Sequence, residues 1–315
     1  MAGPQIVLEA LTRRYGRQTA VDAVDLAVAP GEIYGFLGPN GAGKTTVVRV
    51  LCTLLLPSGG TARVAGYDVV THRKEVRLRI GVALQDVALD PQQTGRELLA
   101  LQGRLYGMRG RQVARRIEEL GLLVDLDGAL DRRIGTFSGG MQRRLDLAAA
   151  LVHGPEVLFL DEPTAGLDPA ARLRVWEEIR RMSIAGVTVF LTTQDLEEAE
   201  VLAGRVGIIH RGRMVAEGAP ADLRRSLGAD VVTVKVDDGG RARLALEAME
   251  GLSAVGGEGD EVRFSTDDGA SLVGPISVHL DRHGVTVREV SVRTPTLGDV
   301  FLRATGARIE SEGGA

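Results

Sequence analysis

A glycine-rich segment between a short apolar run and a helical stretch constrains the fold of this chain more than any other feature. Residues 38–45 read GPNGAGKT, which fits the pattern G-x-x-x-x-G-K-[ST], and they follow the apolar run Ile33–Leu37. Glycines in such a segment let successive backbone N–H groups point inward around an anion, and the following helix directs its positive end at the same point. The sequence therefore predicts a phosphate-binding loop at the end of a strand in an α/β fold.

Separate tasks are predicted for the side chains at the end of this loop. Lys44, one of three lysines in the chain, is expected to contact the β- and γ-phosphates of a nucleotide, and the Thr45 hydroxyl to ligate Mg²⁺. Thr46 is expected to donate toward the α-phosphate. A glycine-rich turn without chemical function is the alternative, which the Lys-Thr pair disfavours. The rest of the predicted cradle comes from the backbone of Gly38, Pro39, Asn40, Gly41, Ala42 and Gly43.

Two adjacent acids follow a second apolar run. The segment Val157–Leu160 contains apolar residues alone, as a buried parallel strand does, and it leads into Asp161 and Glu162. An aspartate at the end of such a strand can hold Mg²⁺, usually through water, and the next acid can polarise the attacking water. Beside a phosphate loop, these acids predict a nucleotide hydrolase rather than a pair of solvated surface acids.

Ser138, Gly139 and Gly140 precede a further helix, expected over 142–151, and form a second candidate anion site. One nucleotide in one chain has no need of two such sites. A head-to-tail homodimer uses both, because the second site of each chain can close over the γ-phosphate held by the other. With these motifs in this order, residues 6–218 resemble an ABC-type ATPase, and the resemblance implies ATP as the nucleotide.

The resemblance implies further site residues. Tyr15 lies where the family places an aromatic ring that stacks on adenine, Gln85 resembles the glutamine that touches Mg²⁺ and water, and Asp168 resembles an aspartate that communicates across the dimer. Two positions depart from the family pattern. Met141 replaces a glutamine, and Gln194 replaces a histidine that contacts the γ-phosphate. An amide can donate a hydrogen bond there but cannot become cationic, so the departure puts the hydrolysis rate in question.

The same departures narrow the resemblance. The segments FSGGM at 137–141, LTTQ at 191–194 and TPTLGDVFLRATG at 294–306 resemble the daunorubicin-resistance branch of ABC exporter ATPases. This resemblance implies a peripheral subunit on the cytoplasmic face of the cell membrane that drives efflux of a drug or other hydrophobic compound through a separate permease chain. Export of lipid, polysaccharide or peptide is the alternative cargo.

Strands and helices alternate through the first two-thirds of the chain, which predicts a mixed, mainly parallel sheet. We expect an ATP-binding domain over 1–218 with a helical subdomain over about 86–155, then a linker helix over 219–228. Residues 229–315 are expected to form an accessory α+β domain with the ferredoxin-like order βαββαβ. Residues 219–315 hold 16 acidic against 11 basic side chains. This segment is expected either to bind its twin or the permease, or only to cover a surface.

Composition excludes several other classes of protein. The net charge of −4 gives no basic excess for nucleic acid, and we expect no metal beyond Mg²⁺. The single cysteine, Cys52, forbids an internal disulfide and fits a reducing compartment. The amino terminus resembles no signal peptide, and no apolar stretch approaches the roughly 20 residues of a membrane span. A non-transport ABC ATPase is the more distant alternative. A DNA-repair ATPase would need a long coiled coil between the two anion sites, where this chain has about a hundred residues without heptads, and a translation factor of this superfamily would need two cassettes, where this chain has one.

Overall fold

The protein is described by a computed structural model that covers residues 3–84, 89–257 and 259–306. The chain divides into two compact units, one that runs to Pro220 and one that begins at Ala221. The described residues of the first unit form two buried apolar clusters, and those of the second unit form one. Among the described residues, no helix is both long enough and apolar enough to cross a bilayer.

The elements of the first unit, in chain order, are β1 (Ile6–Tyr15), β2 (Gln18–Val28), β3 (Ile33–Leu37), α1 (Lys44–Leu51), β4 (Gly59–Val64), β5 (Tyr67–Asp68), α2 (Arg73–Arg77), β6 (Ile80–Ala83), α3 (Gly95–Leu105), α4 (Gly110–Leu123), a 3₁₀ turn (Ile134–Thr136), α5 (Gly139–Leu151), β7 (Val157–Asp161), α6 (Pro169–Ile184), β8 (Thr188–Thr193), α7 (Leu196–Leu202), β9 (Arg205–His210) and β10 (Arg213–Gly218). Helix α8 (Pro220–Arg225) follows at the boundary between the units.

The central sheet has the strand order β10-β9-β3-β8-β7-β6. Its neighbours run parallel except for the antiparallel pair of β9 and β10. Every residue of β3, β7 and β8 is buried, as expected for parallel strands covered on both faces. The prediction of a mixed, mainly parallel sheet is therefore confirmed. Because β3, β8 and β7 are neighbours, the segments that follow them meet at one edge of the sheet.

A second sheet, with the antiparallel order β2-β1-β4-β5, was not predicted. Register shifts interrupt β1, where Ala10 adopts a positive φ of 47°. The apolar residues of this sheet share one buried cluster with α1 and with the aromatic rings of the central sheet, among them Phe36 and Phe190. Helix α1 ends at Leu51, because Thr53 takes a left-handed φ of 61°.

Helices α3, α4 and α5 form the helical part of the first unit, and they share a buried cluster that includes Leu99, Leu120 and Leu145. Helix α3 begins with a capping box in which the Thr94 hydroxyl accepts from the Glu97 N–H and the Glu97 carboxylate accepts from the Thr94 N–H. All three helices lie within the stretch of about 86–155 for which a helical subdomain is predicted. Helix α5 begins earlier than predicted, at Gly139, because Ser138 caps it.

The second unit contains β11 (Asp230–Val236), α9 (Gly239–Glu247), β12 (Ser253–Gly256), β13 (Glu261–Thr266), α10 (Gly269–Arg282), β14 (Val287–Arg293) and α11 (Leu297–Thr305). Its sheet has the order β12-β13-β11-β14, with antiparallel neighbours throughout. Helices α9 and α10 cover one face, where Val232, Val234 and Phe264 are buried. The element order is βαββαβ followed by the additional helix α11, which was not predicted, so the ferredoxin-like arrangement is confirmed for residues 230–293.

Candidate active site

The glycine-rich loop follows β3 and is closely enclosed at both ends. A Cβ atom on Gly38 would lie 2.4 Å from the Ile209 carbonyl oxygen, and one on Gly43 would lie 2.5 Å from the Ala20 carbonyl oxygen. Gly43 also takes a φ of 110° as the residue before α1. Side chains are therefore excluded at these two positions by neighbouring backbone, and the loop can follow this path only with glycine there.

The middle of the loop is open instead. Gly41 has a φ of 76°, and a Cβ atom there would meet no atom within 4 Å. Asn40 is exposed, Pro39 is half-buried, and Ala42 is buried. The Ala42 N–H donates to the Pro39 carbonyl oxygen at 3.2 Å, which closes a tight turn. The loop thus presents accessible backbone on one side while its ends are anchored in the core.

Lys44 is the first residue of α1 and is only 4% exposed. Its ammonium donates to the carbonyl oxygens of Gly38, at 2.7 Å, and Pro39, at 3.3 Å, and its Nζ lies 3.4 Å from Glu162 Oε1. Burial lowers the pKa of Lys44, while the carboxylates of Glu162 and Asp161 act in the opposite direction. The structure thus brings the predicted phosphate-binding lysine and the predicted water-polarising acid together.

Asp161 ends β7 and is 1% exposed. One of its carboxylate oxygens accepts a hydrogen bond from the Thr192 hydroxyl on the neighbouring strand β8. Thr45 and Thr46 lie half-buried in the first turn of α1. A carboxylate and a hydroxyl are hard oxygen ligands of the kind that Mg²⁺ prefers, so this donor set fits the predicted ion. Gln85, the third predicted ligand, lies outside the described residues.

Glu162 adopts a left-handed backbone with a φ of 49°, which non-glycine residues rarely take. Its N–H donates to the Thr192 carbonyl oxygen at 3.0 Å. The side chain is 11% exposed and points at Lys44. Unfavourable backbone of this kind persists only where the surroundings hold it, and it is often found at active sites.

The second glycine-rich segment lies at the start of α5. The Ser138 hydroxyl caps the helix by accepting the Met141 N–H at 3.3 Å. Ser138 and Gly139 are exposed, and a Cβ atom on Gly140 would lie 3.0 Å from the Cβ of Ala171. Met141 packs against the apolar cluster that α3, α4 and α5 share. The free side of the segment is therefore made of serine, glycine and helix N–H groups.

The remaining predicted residues lie at the ends of other elements. Asp168 caps α6, where its Oδ1 accepts from the Ala171 N–H at 2.9 Å. Gln194 is half-buried and directly follows β8. Tyr15 ends β1 with 44% of its surface exposed, and the Arg13 guanidinium lies 4.7 Å from its ring centroid. One side of the Tyr15 ring therefore already has a cationic neighbour.

Two buried charged residues near the site were missed from the sequence. Glu198 on α7 accepts hydrogen bonds from the Thr164 hydroxyl at 2.6 Å and the Trp176 indole at 3.1 Å, and burial raises the pKa of its carboxyl. Arg143 on α5 is 4% exposed. A usable signal existed for Arg143, because it lies four residues before Leu147 on the apolar face of the helix.

Comparison with known protein families and relatives agrees with this geometry. A family model described as ABC transporter matches residues 21–165, and one described as ATP-binding protein DrrA1-3-like, C-terminal domain, matches residues 218–305. The chain is 44% identical to the daunorubicin resistance ATP-binding protein DrrA2 of Streptomyces coeruleorubidus, over 99% of this chain and 98% of that protein. It is 40% identical to the Nod factor export ATP-binding protein I of Paraburkholderia xenovorans, over 97% of this chain and 98% of the relative.

Solved structures give the same result for the fold. An ATP-binding subunit of an ABC transporter is 28% identical, with a TM-score of 0.65 over 71% of this chain and 93% of that chain. The ADP conformation of MJ1267, an ATP-binding cassette of an ABC transporter, is 21% identical, with a TM-score of 0.64 over 70% of this chain and 92% of its own, and that likeness shows the fold alone.

Proposed function

We propose, because this chain belongs to the ABC transporter family and to its daunorubicin-resistance branch, that it powers an exporter whose membrane-spanning part is a separate permease. As a member of this family the chain is an ATPase that binds ATP. One observation carries the assignment of the chemistry to residues. The loop before Lys44, the acid pair 161–162 and Gln194 lie where the parallel strands β3, β7 and β8 end, at one edge of the central sheet.

The glycine-rich loop and Lys44 hold the phosphates of ATP in this proposal. The accessible backbone around Gly41 offers N–H groups to the phosphate oxygens, and the amino end of α1 adds its positive dipole. Thr45, Asp161 and Gln85 are the proposed ligands of Mg²⁺, which when bound neutralises charge on the phosphates. Tyr15 is assigned to the adenine ring. The exposed half of its side chain supports that role.

Hydrolysis is assigned to Glu162, which orients and polarises the attacking water and accepts its proton. Lys44 balances the charge on the transferred phosphoryl group. The 3.4 Å contact between their side chains supports this pairing of tasks, because both groups then face the same phosphate. The Gln194 amide donates a hydrogen bond to the γ-phosphate, and a neutral donor there gives weaker stabilisation than a charged one.

Two copies of the chain form the working unit in this proposal. Ser138, Gly139 and Gly140 of one copy close over the γ-phosphate held by the other, and Asp168 lies at the same interface. The exposure of Ser138 and Gly139 supports a role toward a partner. The second unit is proposed as an accessory domain beyond a linker helix, with the boundaries 1–218, 219–228 and 229–315.

The permease contact is assigned to a cavity of about 310 Å³ between β6, α3 and α5, whose lining includes Leu54, Gln102, Tyr106 and His153. Helix α3 also exposes Leu105 over 70% of its surface. Exposed apolar groups around a cavity are typical of a protein interface. Such a contact would hold the chain on the cytoplasmic face of the cell membrane.

A drug or another hydrophobic compound is the proposed cargo, because relatives at 44% identity are daunorubicin resistance proteins. Export of another class of compound is the second candidate, since relatives at 38% and 40% identity are Nod factor export proteins. Export assays with the co-expressed permease, using daunorubicin and a set of lipids, oligosaccharides and peptides, distinguish the two. An unchanged export rate without the chain would favour a non-transport ATPase.

The variant Glu162→Gln tests the assignment of the catalytic carboxylate. The amide keeps the shape of the side chain but cannot accept the proton, so kcat should fall about 100-fold or more. ATP should then hold two copies together, which light scattering measures as a doubled mass. Glu177→Gln on the exposed side of α6 is the matched control. Turnover by Glu162→Gln at the rate of the control would overturn the assignment.

A further inference from the structure

The buried arginine of α5 connects segments that are far apart in sequence. The Arg143 guanidinium donates through Nη1 to the Leu84 carbonyl oxygen at 2.6 Å, through Nε to that of Pro163 at 2.9 Å, and through Nη2 to that of Asp161 at 3.2 Å. Its carboxylate neighbour is Asp146, one helical turn later, at 3.2 Å. A single side chain thus ties α5 to the ends of both β6 and β7.

Two of these carbonyl groups flank Glu162 in the chain. Residues 161 and 163 are therefore both held by Arg143, and the residue between them carries the left-handed φ of 49°. The third carbonyl belongs to Leu84, which directly precedes Gln85. The planar guanidinium presents its donors in a fixed fork, so it restrains the relative positions of the groups that it contacts.

Arg144 offers a direct comparison within the same helix. It is also buried, at 8% exposed, and it also donates to two carbonyl groups, those of Val124 and Asp125. It forms an ion pair with the Asp125 carboxylate at 3.0 Å. These partners all follow α4. The two arginines are thus alike in burial, in charge and in donating to carbonyl groups. They differ because Arg143 contacts the residues on both sides of Glu162, whereas Arg144 contacts residues that follow α4.

We propose that Arg143 is a positioning residue for ATP hydrolysis, which holds the backbone on both sides of Glu162 and so fixes its carboxylate against the attacking water. The proposal rests on the catalytic role assigned to Glu162. It also gives α5, which is capped by Ser138 and begins with two glycines, a direct mechanical connection to that carboxylate. Its ion-pair partner Asp146 lines the cavity assigned to the permease.

The cost of removing this restraint follows from geometry. A displacement of about 1 Å in a reacting group can lower a rate about 100-fold. Lysine ends in one nitrogen, whereas Arg143 uses three nitrogens of a planar fork, so Arg143→Lys should keep only part of the rate. Loss of the restraint should leave ATP binding nearly unchanged, because the glycine-rich loop follows β3 and Lys44 begins α1, whereas the three carbonyl groups that Arg143 contacts follow β6 or lie at the end of β7.

The test uses the full chain and compares Arg143→Met with Arg144→Met, with kcat and KM from phosphate release and ATP affinity from a fluorescent analogue. We expect Arg143→Met to lower kcat about 10- to 100-fold with ATP affinity within about threefold. Arg144→Met should keep kcat within about threefold, even if its Tm falls by as much as that of Arg143→Met. Equal losses of kcat in the two variants would overturn the proposal.

A double-mutant cycle gives a readout that a purely structural role would not move. If Arg143 acts through Glu162, Arg143→Met should lower the residual rate of Glu162→Gln by less than about twofold. An equal loss in both backgrounds contradicts the proposal. Wild-type turnover by Glu162→Gln alone would instead overturn the assignment of Glu162.

A further variant covers the case in which Arg143→Met does not fold. Removing both charges, as in Arg143→Met with Asp146→Leu, leaves no unpaired buried charge, and such replacements are often tolerated. This double variant should fold, bind ATP and remain about 10- to 100-fold slow. A wild-type rate in this variant would show that the contacts of Arg143 are dispensable, and it would overturn the proposal.

Discussion

Glycines lie at the amino ends of both α1 and α5, before the first helix and in the first turn of the second, yet the structure surrounds them in different ways. The first has its loop ends sealed by backbone, a buried lysine and an acid 3.4 Å from that lysine. The second, at Ser138 and Gly139, is exposed to solvent and capped by a serine. The first segment holds a cation and an acid close together, as hydrolysis of a phosphate bond requires. The second presents an exposed polar surface that a group outside this chain could contact. In the proposed mechanism, these two segments divide one task, the binding of the γ-phosphate, between them.

Of the variants proposed for the two segments, replacement of Lys44 in the first segment should impair ATP hydrolysis most severely. In Lys44→Ala the phosphates lose their buried cation, and we expect kcat/KM for ATP to fall about 100- to 1,000-fold. Steady-state phosphate release measures this loss. Lys74→Ala is the control, since that lysine is exposed on α2. A loss of kcat/KM of less than tenfold in Lys44→Ala would show that the two segments differ less in function than their different surroundings indicate.

An acid in the second segment should separate folding from function there. A Cβ atom on Gly139 meets no atom within 4 Å, and an acid at a helix amino end is favourable, so Gly139→Asp should fold normally. The added charge should repel a phosphate and lower kcat about 10- to 100-fold. Gly128→Asp, in an open loop, is the matched control.

A mixture of Gly139→Asp and Lys44→Ala chains tests how the two segments meet. A head-to-tail pair of unlike chains contains one composite site in which both segments are intact. The mixture should therefore hydrolyse ATP faster than either variant alone. A simple average of the two rates would place both segments of a working site in one chain.

The pH dependence of the free energy of unfolding tests the burial of Asp146 on α5, the helix that begins at the second segment. Burial raises the pKa of Asp146 from 3.8 to about 6, and Arg143 opposes the shift. The folded chain therefore keeps a proton that the unfolded chain releases near pH 4. That stabilisation is complete below pH 4 and is lost as the pH rises through 6.

Asp146→Asn should lack this decline. Between pH 4 and 7 the free energy of unfolding of the wild type should fall by about 2 kcal/mol relative to the variant. Urea unfolding at a series of pH values measures it. Asp127→Asn, which changes an exposed side chain, is the matched control. Parallel curves for Asp146→Asn and the wild type would contradict the predicted shift.

The smallest expected effect concerns the departure beside the first segment. Gln194→His places a side chain that can become cationic next to the γ-phosphate, so kcat should stay the same or rise by up to about tenfold. Single-turnover hydrolysis separates this step from product release. A collapse of activity would assign Gln194 a role beyond weak phosphate contact.

The predictability of each feature depended on how local its cause is. The loop before Lys44 and the strand that ends at Asp161 were predicted in place, because glycine spacing and continuous apolar runs act within a few residues. The sheet of β1, β2, β4 and β5 was missed, since its strands combine bulges with partners that are distant in the chain. The contacts of Arg143 with residues 84 and 163 depend on tertiary packing, which spacing along the chain does not reveal.

The left-handed backbone of Glu162 has a consequence for how this protein can be improved. Glycine or asparagine would adopt that conformation with less strain, so a search for stability alone would favour replacing the glutamate. Such a search would remove the proposed catalytic group. Stability and turnover are therefore opposed at this single position, and engineering that aims at a more durable ATPase should leave it unchanged and seek its gains elsewhere.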